Sequence, residues 1–498
     1  MTSEKMSEEL RRARAYEETY VRCVPETERP VFHATAGIGW MNDPNGFSAY
    51  QGEYHLFYQY NPYSTHWDRM HWGHMKTKDF IRWEHLGAAL APDHDFDRDG
   101  CWSGSAVELP DGRQLLMYTG IRNELEQDGV ERMYQTQCLA VGDGRDYEKY
   151  PGNPVLTMAD LPEGSSPHDF RDPKLWRDPE GRCFAAAVTR AEDGSGAVVL
   201  YESEDGFAWR FSGVIDRCRN EYGKMWECPD FFPLDGKQVL LVSPMEMQPV
   251  GLQFHAGYGA VCKIGTYEKG VFSPETVHSM DYGLDFYAAQ TMETPDGRRI
   301  LIAWMQNWAT TSCQSPGIRC FGEMTVPREL SIREGCLIQT PVRELEGYRT
   351  NPVRYQNLVV TEELHLEGIR GRVLDLTVCV RPAWERGYRE FQISLAKDGE
   401  HETAVRYRPK DSVVQIDRSR CGAPYDIVHT RSFYVRQQNG SIKLRLLMDR
   451  HSLELFVNDG EQTASLLLYA PEGADRVTFQ ARGGAALMDV AKYDIALS

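Results

Sequence analysis

Between residues 40 and 335, apolar and polar positions group into short runs. Examples are 54–60, 114–119, 135–141, 183–188, 197–202, 239–243 and 299–305. Most are four to eight residues long and rich in aromatic or β-branched side chains, with Gly, Asp, Asn and Pro between them. That is the pattern of strands and turns, and no long helical period interrupts it. The region is expected to be all-β.

A weak internal repeat narrows the architecture. Thr77-Lys78-Asp79-Phe80-Ile81-Arg82-Trp83, Gly142-Asp143-Gly144-Arg145-Asp146-Tyr147 and Ser203-Glu204-Asp205-Gly206-Phe207-Ala208-Trp209 each follow a strand-like run. Each is a turn containing Asp, followed by an aromatic that opens another strand. The copies lie roughly 60 residues apart, the size of a propeller blade. Asp-Gly turns occur in any β protein. The strand–turn–aromatic order and the regular spacing favour a propeller.

Beyond about 340 the alternation is cleaner, as in 373–380, 391–395, 403–407, 413–417, 442–448, 452–457 and 464–469. Asn458-Asp459-Gly460 is a hairpin signal. Turns about every ten residues fit a β-sandwich. At the other end, 4–22 reads as a short amphipathic helix with Leu10, Ala13 and Tyr20 on its apolar side. The expected layout is an N-terminal helical extension at 1–27, a propeller at 28–338, a linker at 339–350 and a sandwich at 351–498.

With 498 residues the chain suggests two domains. Its net charge of −18 argues against nucleic acid or an anionic membrane as the main partner. No run reaches a membrane span, and Met1 to Arg22 has no apolar signal core. The 12 cysteines contain no Cys-x-x-Cys pair, so free thiols in a cytoplasmic protein are expected, with no metal site.

Three carboxylates stand in dense, Pro-bounded settings. Asp43 lies in Trp40-Met41-Asn42-Asp43-Pro44-Asn45-Gly46, which reads as a constrained turn. Asp172 lies in His168-Asp169-Phe170-Arg171-Asp172-Pro173, and Glu227 in Met225-Trp226-Glu227-Cys228-Pro229-Asp230. Separately they read as easily as a turn cap, a structural ion pair and an outward-facing strand residue. Together they match glycoside hydrolysis, which needs a carboxylic acid and a second carboxylate across the scissile bond. Asp169 and Asp230 are neighbouring carboxylates that could be mistaken for the functional ones.

These motifs resemble the glycoside hydrolase family that contains invertases, levanases, inulinases and bacterial sucrose-6-phosphate hydrolases. Tyr58-Gln59-Tyr60-Asn61-Pro62, Cys101-Trp102-Ser103-Gly104-Ser105, Phe286-Tyr287-Ala288-Ala289-Gln290, Trp304-Met305-Gln306, Pro327-Arg328-Glu329-Leu330 and Leu453-Glu454-Leu455-Phe456 carry the same likeness. The resemblance implies a five-bladed β-propeller followed by a β-sandwich, and a retaining β-fructofuranosidase without cofactor or metal. Asp43 would be the nucleophile, Glu227 the acid/base, and Asp172 the holder of fructose hydroxyls. Asn42, Gln59, Trp67, Trp102, Ser103 and Arg171 would line the fructose pocket. Tyr287 and Trp304 would be wall residues, and Cys228 would touch Glu227. Crowding the carboxyls should raise at least one pKa, Glu227 foremost. Asp169 is an added acid relative to a common family form, one that could alter a leaving-group subsite.

Sucrose, sucrose 6-phosphate and short fructooligosaccharides all remain open as substrates. Arg69, Lys76 and Arg132 are candidate phosphate ligands. A fructosyltransferase, a non-catalytic fructan-binding protein and a homo-oligomer also remain open.

Overall fold

The computed structural model describes residues 6–385, 387–436 and 438–497. Among the described residues, five four-stranded antiparallel sheets form the first part, each built from strands that follow one another in the chain except in the fifth, where Cys320–Phe321 intervenes between the second and third strands. Their inner strands are β1 (Gly39–Tyr50), β2 (Gly100–Glu108), β3 (Phe170–Arg177), β4 (Trp226–Leu234) and β5 (Tyr287–Glu293). Each inner strand contacts the next, and β5 contacts β1, so the five blades, I to V, close into a ring. Blade I also gains Cys320–Phe321, which runs parallel to β1 with Cys320 opposite Gly39 and Phe321 opposite Trp40. The chain after blade V's second strand thus reaches back to lock blade I. Gly39 has φ +81, and a Cβ there would meet the Asn61 carbonyl at 2.2 Å. Only glycine fits this closure.

The repeated Asp turns join the third and fourth strands of blades I to III. Their chemistry is local. Asp79 accepts from the Ile81 and Arg82 amides, Asp143 from Arg145 and Asp146, and Asp205 from Phe207 and Ala208. Each carboxylate replaces backbone partners that the turn cannot supply. Blades IV and V make the same connection with short glycine turns at Gly270 and Gly335, so the repeat fades there.

The helix α1 (Glu8–Tyr20) packs on the propeller through Leu10, Ala13 and Glu17. Tyr20, expected on the apolar side, is 45% exposed. The buried position is Glu17, whose carboxylate accepts from the Ala88 amide at 3.0 Å. Arg14 on the same helix donates to the Ala88 carbonyl and to Asp146.

The last propeller strand ends at Pro341, and a 3-10 turn at Arg343–Tyr348 leads directly into the strand Arg349–Val360. Two six-stranded antiparallel sheets then stack as a sandwich over a core that includes Leu376, Val378, Phe391, Ile393, Leu446, Leu455 and Phe479. The Asn458-Asp459-Gly460 turn joins Ser452–Val457 to Gln462–Leu467, with φ positive at all three residues.

Candidate active site

All five inner strands break register near their starts. The shifts fall between Met41 and Pro44, Trp102 and Gly104, Arg171 and Lys174, Glu227 and Asp230, and Tyr287 and Gln290. Asn42-Asp43, Ser103, Asp172-Pro173, Cys228-Pro229 and Ala288-Ala289 therefore bulge out of the ladders. A bulge turns a side chain away from strict alternation and frees backbone amides. Asp172, Cys228 and Ala288 take the strained φ values 60, 47 and 54. Pro173 and Pro229 fit because a bulged residue owes no ladder hydrogen bond. The stretch around Asp43 is thus a strand with two bulges, not the turn that Pro44 and Asn45-Gly46 suggest.

The freed amides are caught in a second ring. Gly104 N donates to Asn45 Oδ1 at 3.1 Å, Asp172 N to Thr119 Oγ1 at 3.0 Å, and Cys228 N to Asp172 Oδ2 at 3.0 Å. Ala288 N donates to Ser243 Oγ at 3.0 Å and Phe47 N to Gln290 Oε1 at 3.1 Å. In every case the acceptor comes from the preceding blade, and the cycle closes from blade V to blade I. One of the five acceptors is the site carboxylate Asp172.

Asp43, Asp172 and Glu227 meet around the Cys228 thiol and the Arg171 guanidinium. Ser103 Oγ donates to Asp43 Oδ2 at 2.8 Å, and Cys228 Sγ lies 3.6 Å from the same oxygen. Asp43 Oδ1 has no hydrogen-bond partner among the described residues. Cys228 Sγ is also 3.8 Å from Asp172 Oδ2. Glu227 is held from two sides: Arg171 Nε donates to Oε1 at 3.2 Å, and the Tyr287 hydroxyl donates to Oε2 at 2.7 Å. Arg171 Nε lies 3.8 Å from Asp172.

Burial, with the nearby Glu227 charge, pushes the Asp43 carboxyl up to about 6. Burial also raises Asp172; Arg171 opposes the rise and Glu227 adds to it. Burial and neighbouring charge thus raise both aspartate carboxyls. Burial and the surrounding carboxylates push the Cys228 thiol far up, which keeps it neutral.

The other expected pocket residues divide into three groups. Asn42 is buried and accepts from the Trp40 indole at 2.6 Å; Gln59 is buried and donates to the Cys101 carbonyl at 3.0 Å. Both sit beside the carboxylates with one polar end committed to the frame. Trp67 is 43% exposed and meets the half-buried Trp102 edge-on at 5.7 Å, forming an aromatic corner. Tyr287 and Trp304, expected as walls, are both fully buried. Tyr287 acts on Glu227 through its hydroxyl. Trp304 packs against Trp40 and Trp308 behind the site.

Asp230 is buried and paired with Lys174 at 3.0 Å, and it accepts from the Thr291 amide, so it ties blades III, IV and V. Of the candidate phosphate ligands, Lys76 pairs with Glu53 at 2.8 Å, Arg132 pairs with Asp128 at 2.6 Å, and Arg69 donates to the Arg98 and Pro92 carbonyls. Thr119, Ser243, Gln135 and Arg190 also support the site. Nothing in their local sequence marks them.

A propeller that brings carboxylates from separate blades into one small site has the acid and second carboxylate that a glycosidase needs. The description "Glycosyl hydrolases family 32 N-terminal domain" matches residues 33–341, and "Glycosyl hydrolases family 32 C terminal" matches 344–495. A sucrose-6-phosphate hydrolase of Zymomonas mobilis is 36% identical over 456 residues, covering 88% of this chain and 85% of that protein. A raffinose invertase of Escherichia coli is 34% identical, covering 92% and 93%. A solved Bombyx mori GH32 beta-fructofuranosidase superposes with TM-score 0.81 at 30% identity over 98% of each chain. The chain belongs to glycosyl hydrolase family 32.

Proposed function

We infer that this protein is a β-fructofuranosidase that hydrolyses sucrose-type substrates. The observation that carries the reading is the convergence of Asp43, Asp172 and Glu227, from three different blades, on Cys228 and Arg171. Related structures include a mutant Bombyx mori enzyme in complex with sucrose and a Cichorium intybus fructan 1-exohydrolase in complex with 1-kestose.

In this mechanism Asp43 Oδ1 bonds to the anomeric carbon of the fructosyl unit. As the glycosidic bond breaks, protonated Glu227 gives its proton to the departing oxygen. Glu227, now a carboxylate, takes a proton from water. The water oxygen bonds to the anomeric carbon and frees Asp43. Two displacements at one carbon retain its configuration. Asp172 holds fructose hydroxyls and faces the positive charge that develops on the ring. Ser103 and the Cys228 thiol fix Asp43 without neutralising it.

The committed partners of Lys76 and Arg132 favour an unphosphorylated substrate, because phosphate recognition needs basic donors that are free to turn toward it. The 12 free cysteines support a reducing, cytoplasmic setting. Steady-state kinetics with sucrose and sucrose 6-phosphate test the assignment. Release of glucose and fructose from sucrose is expected, with kcat/KM for the two sugars within about tenfold. A preference of about 100-fold for the phosphorylated sugar, worth about 3 kcal/mol, would overturn the unphosphorylated reading.

A further inference from the structure

Asp169 does not belong to the reacting trio, yet it sits at the centre of a line of alternating charges. Arg171 presents two edges. Its Nε and Nη2 face Glu227 Oε1 at 3.2 Å, and its Nη1 faces Asp169 Oδ1 at 3.4 Å. The other Asp169 oxygen accepts from Arg190 Nε at 3.0 Å and from Ser166 Oγ at 2.9 Å. Arg190 stands at the end of the neighbouring strand Cys183–Arg190, whose register places Thr189 opposite Phe170 and so brings Arg190 level with Asp169. The order Arg190, Asp169, Arg171, Glu227 is thus positive, negative, positive, negative, within one blade and the first strand of the next. Gln135 Oε1 is a further acceptor for Arg171 Nη1 at 3.4 Å, but it carries no charge.

We propose that Asp169, anchored by Arg190, is a positioning residue that orients Arg171 and draws off part of its charge, so that Arg171 can steady Glu227 and still leave it a proton to donate. An acid catalyst beside an undivided guanidinium would ionise too readily. One beside no cation would lose its orientation. Asp169 shares the Arg171 charge with Glu227, and Arg190 sets how much of the Asp169 charge reaches Arg171. The other groups facing Glu227 are Asp43, Asp172, Cys228, Tyr258 and Tyr287. His168 is next to Asp169 in sequence and packs edge-on against Tyr134 at 5.3 Å, its Nδ1 turned to the Met133 carbonyl. Neither substitution replaces any of these groups, although Asp172, which also lies beside Arg171, feels the change in Arg171 as Glu227 does. Both arginine contacts hold the Asp169 carboxyl below the usual range despite its burial, so it carries its charge at working pH.

The proposal rests on Glu227 being the acid, and its test separates the two ideas. The pH profile of kcat/KM for sucrose is measured for the wild type and for Asp169→Asn, Arg190→Gln and Glu227→Gln. Asp169→Asn keeps the shape and removes the charge. Its basic limb should move down by about half a unit to one unit, with kcat/KM falling about 3- to 10-fold on that limb and little change at the optimum. Arg190→Gln should move the limb the opposite way, because an unneutralised Asp169 draws more strongly on Arg171. A purely structural role predicts lower thermal stability with the limb unmoved. Unmoved limbs in both variants, together with loss of the limb in Glu227→Gln, would overturn the proposal alone. Persistence of the limb in Glu227→Gln would overturn the assignment of the acid, and this proposal with it.

Discussion

Asp43 carries a conflict between folding and function. In the proposed mechanism its carboxyl must be ionised to attack, yet burial and the Glu227 charge raise it to about 6. Ionised Asp43 is therefore held in the fold at a cost, relative to an unfolded carboxylate near 4. The sign follows from the raised value. The cost is full above about pH 6, shrinks as pH falls through 6, and is gone below about 4. Asp43→Asn should abolish turnover and also stabilise the protein by about 2–3 kcal/mol at pH 8, with no gain at pH 4. Urea unfolding at the two pH values measures this. Equal stability of the two proteins at pH 8 would contradict it. The same ionisation should place an acid limb in kcat/KM near pH 6, with the raised Asp172 contributing to it, and a pH profile checks this.

At the level of elements, the five bulges explain what the chain reveals in advance and what it conceals. The blades are legible because alternation is a property of neighbours, and because Asp79, Asp143 and Asp205 complete their turns locally. The three carboxylates are legible because each sits in a dense motif, two of them marked by a proline that a regular ladder would exclude. The bulges themselves are concealed. Two residues opposite one is a relation between strands, and Asn42-Asp43-Pro44 on its own looks like a turn. The ring of amide acceptors is concealed for the same reason, since Thr119 and Gln290 are ordinary strand residues until the adjacent blade is in place. Trp304 and Tyr287 lie in motifs that mark them without showing their surroundings. Aromatics near a sugar site suggest walls, but here inward-facing strand positions bury both rings. Helix α1 is legible as amphipathic, but a carboxylate on its buried face can be recognised only once the Ala88 amide is present to meet it.

For the molecule as a whole, the sandwich is joined to the propeller by buried charge. His33 lies between Asp449 and Glu454 at 2.9 Å from each, and Arg328 joins Glu454 and Asp281. Asp449 also accepts from the Val31 and Phe32 amides, and Arg418 pairs with Asp285. This gives a structural role to the Pro327–Leu330 and Leu453–Phe456 motifs, which hold the two domains together. Burial alone would lower His33, but the hydrogen bonds it donates to the two carboxylates raise it to about 10. A raised histidine contributes fully below about 6.5 and loses its contribution as pH rises toward 10. Removing it leaves Asp449 buried without a counter-charge, while Glu454 keeps Arg328, a loss of about 3–5 kcal/mol. Calorimetry should therefore show one transition in the wild type, and a lower, split transition in His33→Ala. An unsplit transition at the wild-type temperature would show that the two domains are held by other contacts.

The central claim, that Asp43 bonds to the fructosyl carbon, is tested most directly by trapping. Glu227→Gln removes the base needed for release, and β-fructosyl fluoride needs little acid to depart. Mass analysis of that variant after reaction should find one anhydrofructosyl unit, and peptide mapping should place it on Asp43. An adduct on Asp172, or turnover of the fluoride without any adduct and with inverted product, would contradict the account.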